Sequence, residues 1–347
     1  MYEPNIDFIE EIEEDASMGV YKTPVTFISP LKHENDYSFF PVRRPKLLKY
    51  YYKQVKVHWV PADIDMREDR KDFDNLDKDT QLFIEGILAF FTPSDGIVIE
   101  NIFDNFQKDT SFWKEARSFY AAQGFMETIH SEMYSLMAQT LIRDPVKYES
   151  ILNSIVEYPA VARIAAFMKK YMDRGVPLAD RIIAFACVEG ILFTSAFAAI
   201  YWIKKRNILR GFCKANEFIA RDEAIHMKFA VALYCMASHE HEMAPASRPR
   251  AYEIVEEAVN VNDQFIKDIL RVDKIGMNAA DLLLYTKCTA DALLVAIGHE
   301  KLYNVVNPFD WMAIISLPNK TNFFEDKVSE YTQQTEKEFI FDENAYF

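Results

Sequence analysis

Two copies of one short pattern stand out among the residues able to do chemistry, Glu127-Thr-Ile-His130 and Glu223-Ala-Ile-His226. Each lies in a stretch that reads as helix. Residues three apart share a helix face, so each pattern aims a carboxylate and an imidazole at one point. A third acid, Glu189, is the only charge in the 22-residue run 182–203. A buried carboxylate without a counter-charge is costly, so Glu189 demands one. Two Glu-x-x-His pairs with further acids from two other helices form the donor set of a dinuclear, carboxylate-bridged metal site inside a four-helix bundle. The fourth acid lies upstream, where spacing leaves Asp95 and Glu100 as rivals. Pro93-Ser94-Asp95-Gly96 also reads as a turn.

The same stripes carry more than ligands. Tyr134 follows His130 by four residues and Glu127 by seven, which sets a phenol beside the metal site. Phe193 and Phe197 follow Glu189 by four and eight, and Ile219 precedes Glu223 by four, so these three line the pocket with apolar surface. A phenol in that position is an oxidisable side chain that a metal centre can reach and solvent cannot. Carboxylate and imidazole donors suit iron, manganese and zinc.

The elements that must position these residues are helical throughout. Helical periodicity runs through 79–91, 97–106, 112–142, 159–172, 178–206, 212–237, 250–271 and 279–298, with Pro93 and Pro145 among the breaks and Pro159 in a first helical turn. Only nine glycines punctuate 347 residues, and half the chain is apolar, which predicts one large all-α core domain over 21–324. The run 182–203, followed by Lys204, Lys205 and Arg206, satisfies the length rule for a membrane span. A bundle helix buried on all sides looks the same and is the expected reading, with Gly211 closing the helix. Residues 1–20 hold seven acids and no base and are expected to form a disordered acidic arm; 325–347 is a second acidic segment, expected to be a flexible tail. The net charge of −14 disfavours nucleic acid. Cys187, Cys213, Cys235 and Cys288 show no C-x-x-C spacing, which fits single thiols in a reducing, cytoplasmic setting.

Taken as strings, these residues resemble the small (beta) subunit of class I ribonucleotide reductase, of the tyrosyl-radical kind. The resemblance is carried by Phe90-Phe91-Thr-Pro-Ser-Asp95-Gly-Ile-Val, Glu115-Ala-Arg-Ser-Phe-Tyr120, Met126-Glu127-Thr-Ile-His130-Ser-Glu-Met-Tyr134, Val188-Glu189-Gly-Ile-Leu-Phe193 and Arg221-Asp222-Glu223-Ala-Ile-His226. It implies a ferritin-like helical bundle with additional helices. It implies that Asp95, Glu127 and His130 hold one metal and Glu189, Glu223 and His226 the other, most simply as dinuclear iron, with manganese compatible with the same donors. Tyr134 then falls on the family's radical tyrosine. Trp59, in His58-Trp59-Val-Pro-Ala-Asp, and Asp222 fall on its electron-transfer route, and Tyr331 on its tail tyrosine. The resemblance further implies a homodimer whose C-terminal tail docks on the large (alpha) subunit.

The residues that are missing agree with that reading. Reduction of a ribonucleoside diphosphate needs a phosphate cradle and a cysteine pair. The chain has neither G-x-x-x-x-G-K-[ST] nor G-x-G-x-x-G, and its cysteines are scattered. Such a subunit generates an oxidant and hands it to a partner that carries substrate and thiols. A ferritin-like dimetal oxygenase or desaturase is the alternative with the same ligands, distinguished by a substrate channel and by the absence of a stable radical at Tyr134; an iron-storage bundle is a third, but storage gives neither the Tyr134 pocket nor the tail a role.

Overall fold

The computed structural model describes residues 38–309 and 312; the arm 1–20, the tail 325–347 and Tyr331 lie outside the described residues. Among the described residues the chain is helical, with no strand: α1 (Pro45–Lys56), a 3-10 turn (Pro61–Asp63), α2 (Asp69–Asp74), α3 (Lys78–Asn101), α4 (Lys114–Leu141), α5 (Pro145–Leu152), α6 (Ser154–Glu157), α7 (Pro159–Lys170), α8 (Leu178–Cys187), α9 (Phe193–Lys204), α10 (Arg210–His239), α11 (Arg248–Phe265) and α12 (Ala279–Ala296). A π-helical turn, Val188–Leu192, joins α8 to α9, and two others, Ile102–Phe106 and Ile266–Leu270, extend α3 and α11.

Four of these rods make the central bundle: α3 packs on α4, α8 and α9 pack on α10, and α10 closes against α4. Helix α1 lies over α4 and α10, while α11 and α12 cover the π turn and α9. The rod from Leu178 to Lys204 is long and apolar enough to cross a membrane, and its most apolar stretch is entirely buried inside the fold. Lys78–Asp109 is also long and apolar enough, and its most apolar stretch is 72% buried. Both are core helices of the bundle, so their hydropathy reflects burial against protein.

Two boundary expectations are overturned. Pro93 does not break α3, which runs unbroken past it to Asn101. Proline forfeits one hydrogen bond, to the Ala89 carbonyl. The next residue compensates locally, since Ser94 Oγ donates to the Phe90 carbonyl at 2.6 Å. With Phe90, Phe91, Asp95, Ile97 and Val98 all buried, packing outweighs the proline penalty, and Asp95 therefore stands on a helix and not in a turn. Pro145, by contrast, does mark a break: α4 ends at Leu141 and a new helix starts at Pro145, behind the N-cap Asp144, whose carboxylate accepts from the Val146 amide at 2.9 Å.

Nor does Gly211 terminate the rod before it; it lies in the first turn of α10. Leu209 turns the chain in the left-handed region at φ 50°, its amide held by Asp72 Oδ2 at 2.9 Å. The buried Asp69 carboxylate then accepts from the amides of Gly211 and Phe212, two donors that a helix start leaves without intrahelical partners. Glycine is required there by approach. A Cβ would sit 2.5 Å from the Asp65 carbonyl oxygen and 2.9 Å from Met66 Cγ. Gly211→Ala is therefore expected to lower stability by about 1–3 kcal/mol, read as a lower urea midpoint. A midpoint equal to that of the parent protein would show that the segment around Asp65 yields freely to a larger side chain.

Candidate metal centre

Six sequence-predicted residues converge in the middle of the bundle, one from α3 (Asp95), two from α4 (Glu127, His130), one from the π turn (Glu189) and two from α10 (Glu223, His226). None is more than 2% exposed. Ligand atoms of Glu127, Glu189, Glu223 and His226 all lie within 4.8 Å of one another. His130 Nδ1 is 3.3 Å from Glu127 Oε2 and 3.1 Å from Glu223 Oε1. His226 Nδ1 is 3.0 Å from both Glu127 Oε1 and Glu223 Oε2. Glu127 and Glu223 thus each face both imidazoles, the placement a bridging carboxylate requires. Glu100, the rival to Asp95, is exposed and plays no part.

Asp95 gives the sharpest sign that something cationic belongs here. Both its carboxylate oxygens are buried and accept no hydrogen bond from the protein. Burial first, and the neighbouring Glu127 next, push its pKa well above the usual carboxylate range. Glu189 is raised well above its usual value by burial and then by Glu223. Burial works against both imidazoles, but it is outweighed: Asp222, Glu127 and Glu223 raise His130, while Glu127 and Glu223 raise His226 to about 9. Without metal, the cluster must gather protons to offset its own negative charge. Four carboxylates and two imidazoles with unmet acceptor capacity in a dry core fit two divalent ions.

The residues around the six fix their aim. Gln123, one turn before Glu127 on α4, donates from Nε2 to Glu127 Oε1 at 3.2 Å and to Glu189 Oε1 at 3.1 Å. Sequence reading missed it, although the i−4 spacing from Glu127 places it on the ligand stripe. Beyond His130, Nε2 meets Asp222 Oδ2 at 3.2 Å, and the same oxygen accepts from Trp59 Nε1 at 2.8 Å. The Trp59 and His130 rings also stack, with centroids 6.0 Å apart and planes 23° from parallel. Burial opposes ionisation of Asp222, but the Arg221 charge and His130 hold its pKa below the usual range, so it remains an anion. Arg221 in turn donates to the Val57 carbonyl, tying the chain ahead of Trp59 to α10. Val60, the next residue, is already 37% exposed, so this line runs from the protein surface to the cluster.

Tyr134 is fully buried one turn beyond His130, and its hydroxyl donates to Asn216 Oδ1 at 2.8 Å. The ring stacks on Phe91, centroids 4.6 Å apart and planes 3° from parallel. Phe193 and Phe197 pack on Phe91 in turn, each at 5.2 Å, and Ile219 is fully buried on α10. Phe91 and Asn216 were not singled out by spacing, because they share no helix with Tyr134. The π turn at Glu189 was equally hidden: a fifth residue in one turn resets the helical phase between Glu189 and the phenylalanines. Gly190 sits inside it, where a Cβ would meet Met227 Cγ at 2.7 Å, so glycine lets this turn close on α10 beside His226.

A carboxylate–histidine cluster shared by four helices of a long bundle defines the ferritin-like class. Comparison with known proteins narrows this. Residues 36–308 match the family described as ribonucleotide reductase, small chain. The ribonucleoside-diphosphate reductase small subunit of Dictyostelium discoideum is 39% identical over 312 residues, 89% of this chain and 90% of the relative. The small chain of Variola virus is 39% identical, covering 86% and 92%, and subunit M2 of Macaca fascicularis is 38% identical, covering 90% and 81%. Among solved structures, the ribonucleotide reductase Rnr4 homodimer of Saccharomyces cerevisiae aligns with a TM-score of 0.67 at 28% identity, over 86% of this chain and 91% of that one. A Clostridium botulinum R2 subunit, at 23% identity and TM-score 0.65, shares the fold. The chain belongs to the ribonucleotide reductase small-chain family. Its activity is that of the small subunit of a ribonucleoside-diphosphate reductase, an oxidoreductase that works with a large subunit.

Two outcomes test the centre. Glu189→Ala is expected to lower bound metal per chain while far-ultraviolet circular dichroism remains helical; wild-type metal content would remove Glu189 from the ligand set. The metal-free protein should also lose stability as pH rises. Asp95, Glu189, His130 and His226 all have folded-state pKa values above their unfolded ones, so each stabilises the fold when protonated and stops doing so on titration. The opposing groups, Glu223 and Asp222, are lowered and act only in acid. The melting temperature should therefore fall between pH 6.5 and about 9, the span of the His226 shift, and metal should remove that slope. A flat profile in the metal-free protein would contradict the charge balance described above.

Proposed function

We propose that this chain holds two metal ions, iron in its working form, at Asp95, Glu127, His130, Glu189, Glu223 and His226, and that it stores an oxidising equivalent as a radical on Tyr134. The observation that carries the proposal is the buried Asp95 carboxylate with no protein partner, in a cluster one helical turn from a sealed phenol. When bound, the metal pair would supply the electrons for activating dioxygen and the oxidising power to take one electron from Tyr134.

The chain's own residues do the rest. Gln123 fixes Glu127 and Glu189, and Asp222 fixes His130: it accepts from Nε2, so Nδ1 is left free to face the metals. Tyr134 is held far above an ordinary phenol pKa, by burial first and by Asp95 second, so it does not ionise at neutral pH. Electron and proton must then leave together. Phe91, Phe193, Phe197 and Ile219 keep water and reductants from the ring. Trp59, joined to Asp222 and stacked on His130, is the conduit by which electrons enter and oxidising equivalents leave.

The yeast homodimer neighbour supports assembly as a pair of copies, and the family's two-subunit activity supports docking of the C-terminal tail, 325–347, on the large subunit, with Tyr331 as relay. Four buried free thiols suit a reducing cytoplasm. The ferritin-like oxygenase reading has no observation in its favour.

Electron paramagnetic resonance on protein reconstituted with ferrous iron and oxygen tests this. Tyr134→Phe should keep the metal content and abolish both the organic radical and nucleotide reduction with the partner; a full radical signal would move the radical to another residue. Trp59→Phe should bind the large subunit normally yet lose turnover, and undiminished turnover would eliminate the conduit. Truncation after Glu338 should leave metal and radical intact but abolish activity with the large subunit. Full activity would show that the tail is not the docking element.

A further inference from the structure

The hydrogen bond from Tyr134 to Asn216 has a direction that the surroundings fix. Asn216 is fully buried on α10, and its Nδ2 donates to the Phe212 carbonyl at 2.8 Å. A carbonyl oxygen only accepts, so the amide NH2 must be the end that faces Phe212, and Oδ1 the end that faces Tyr134. Exchanging the two ends would press Oδ1 against the Phe212 oxygen. The amide is therefore held as an acceptor toward Tyr134. The phenol is held to it as well: the hydroxyl is 2.8 Å from Oδ1, and the flat stack on Phe91 keeps the ring in its plane.

An acceptor at this position treats the two oxidation states of tyrosine differently. Protonated Tyr134 donates to Asn216 and is stabilised. Oxidation removes one electron and one proton, one of the four electron–proton pairs that convert dioxygen to two waters in the reaction proposed above. The O–H bond is broken, and an amide oxygen is too weak a base to keep the proton. The phenoxyl oxygen that remains accepts hydrogen bonds and donates none, so it meets the Oδ1 lone pairs while the amide's own donor, Nδ2, is turned to the Phe212 carbonyl. We propose that Asn216 is a positioning residue that selectively stabilises the reduced, protonated form of Tyr134, and so makes the radical on Tyr134 a stronger oxidant than the same radical with no acceptor beside it. This rests on the radical reading of Tyr134.

The hydrogen bond is tested without metal, and the redox consequence separately. In the metal-free protein, an ultraviolet resonance Raman difference between wild type and Tyr134→Phe isolates the Tyr134 ring doublet. It should have the intensity ratio of a hydrogen-bond donor. The same difference taken in an Asn216→Leu background should lose it, with circular dichroism confirming the fold. A wild-type difference without donor character overturns the proposal, whatever the Leu variant does. After reconstitution with ferrous iron and oxygen, the Asn216→Leu radical should be favoured about three- to tenfold in equilibrium with graded one-electron reductants, the range of one net hydrogen bond. High-field resonance should find no exchangeable proton from Asn216 on the wild-type phenoxyl oxygen. No shift in that equilibrium, a shift toward the reduced form, or a strongly coupled exchangeable proton lost in the Leu variant would overturn it. Failure to form any Tyr134 radical in wild type would sink the radical reading itself and this redox role with it, while the Raman result would still stand or fall alone.

Discussion

The structure depends on a concentration of charge where charge is least welcome. Four carboxylates and two imidazoles occupy the dry centre of a helical bundle, and taking such groups out of water costs several kcal/mol per ion, to order of magnitude, unless compensated. Protein donors compensate only in part. Gln123 serves Glu127 and Glu189, the histidines serve Glu127 and Glu223, and Asp95 is served by none. The shifts that follow, acids raised on one side and imidazoles raised on the other, describe a site that recruits positive charge from any source available. Protons answer that need in the metal-free protein, and a pair of divalent ions answers it better.

Helix α10 is the element through which the site is organised. Along one 30-residue rod stand Asn216 on the phenol, the fully buried Ile219, Asp222 between Trp59 and His130, and Glu223 and His226 in the cluster. A rod with this many contacts must begin in the right register. Its start is fixed by Asp69 on the amides of Gly211 and Phe212, and by a glycine that lets the chain around Asp65 approach. Gly190 performs a similar service in the facing π turn, where closeness to Met227 brings Glu189 toward Glu223. Backbone proximity at Gly190 thus brings the turn that carries Glu189 against α10, while proximity at Gly211 fixes where α10 begins.

Tyr134 and Trp59 are buried to similar extents but lie in different electrical settings. Tyr134 is enclosed by aromatic rings and has an uncharged acceptor, Asn216, at its hydroxyl. Trp59 donates to an ionised carboxylate, Asp222, that Arg221 keeps charged, and it sits one residue from the exposed Val60. An anion beside an indole favours passage of positive charge through it. A neutral, enclosed environment favours holding a radical in place. In the function proposed above, storage on Tyr134 and transfer through Trp59 would be separated by environment, although both residues lie within a few side chains of His130.

Much of this was legible in the residues alone. The doubled Glu-x-x-His, the isolated Glu189 and the position of Tyr134 express the period of one helix, so each ligand pair and its neighbours on the same stripe could be read without tertiary information. The all-α class followed from the same periodicity and from scarce glycine. Tertiary structure decided whatever joins one helix to another. Spacing left Asp95 and Glu100 as rivals and the family strings favoured Asp95, but that Asp95 stands on a helix depended on α3 continuing past Pro93, which a proline rule disfavours and dense packing permits. Gln123 could have been found from its stripe, but Phe91 and Asn216 could not, because they reach Tyr134 across the bundle and no sequence spacing encodes that contact. The π turn at Glu189 and the close approaches at Gly190 and Gly211 stayed hidden for the same reason: hydrophobic periodicity records which face of a helix is buried, and it carries no information on how near the neighbouring helix comes or on the local phase of a turn.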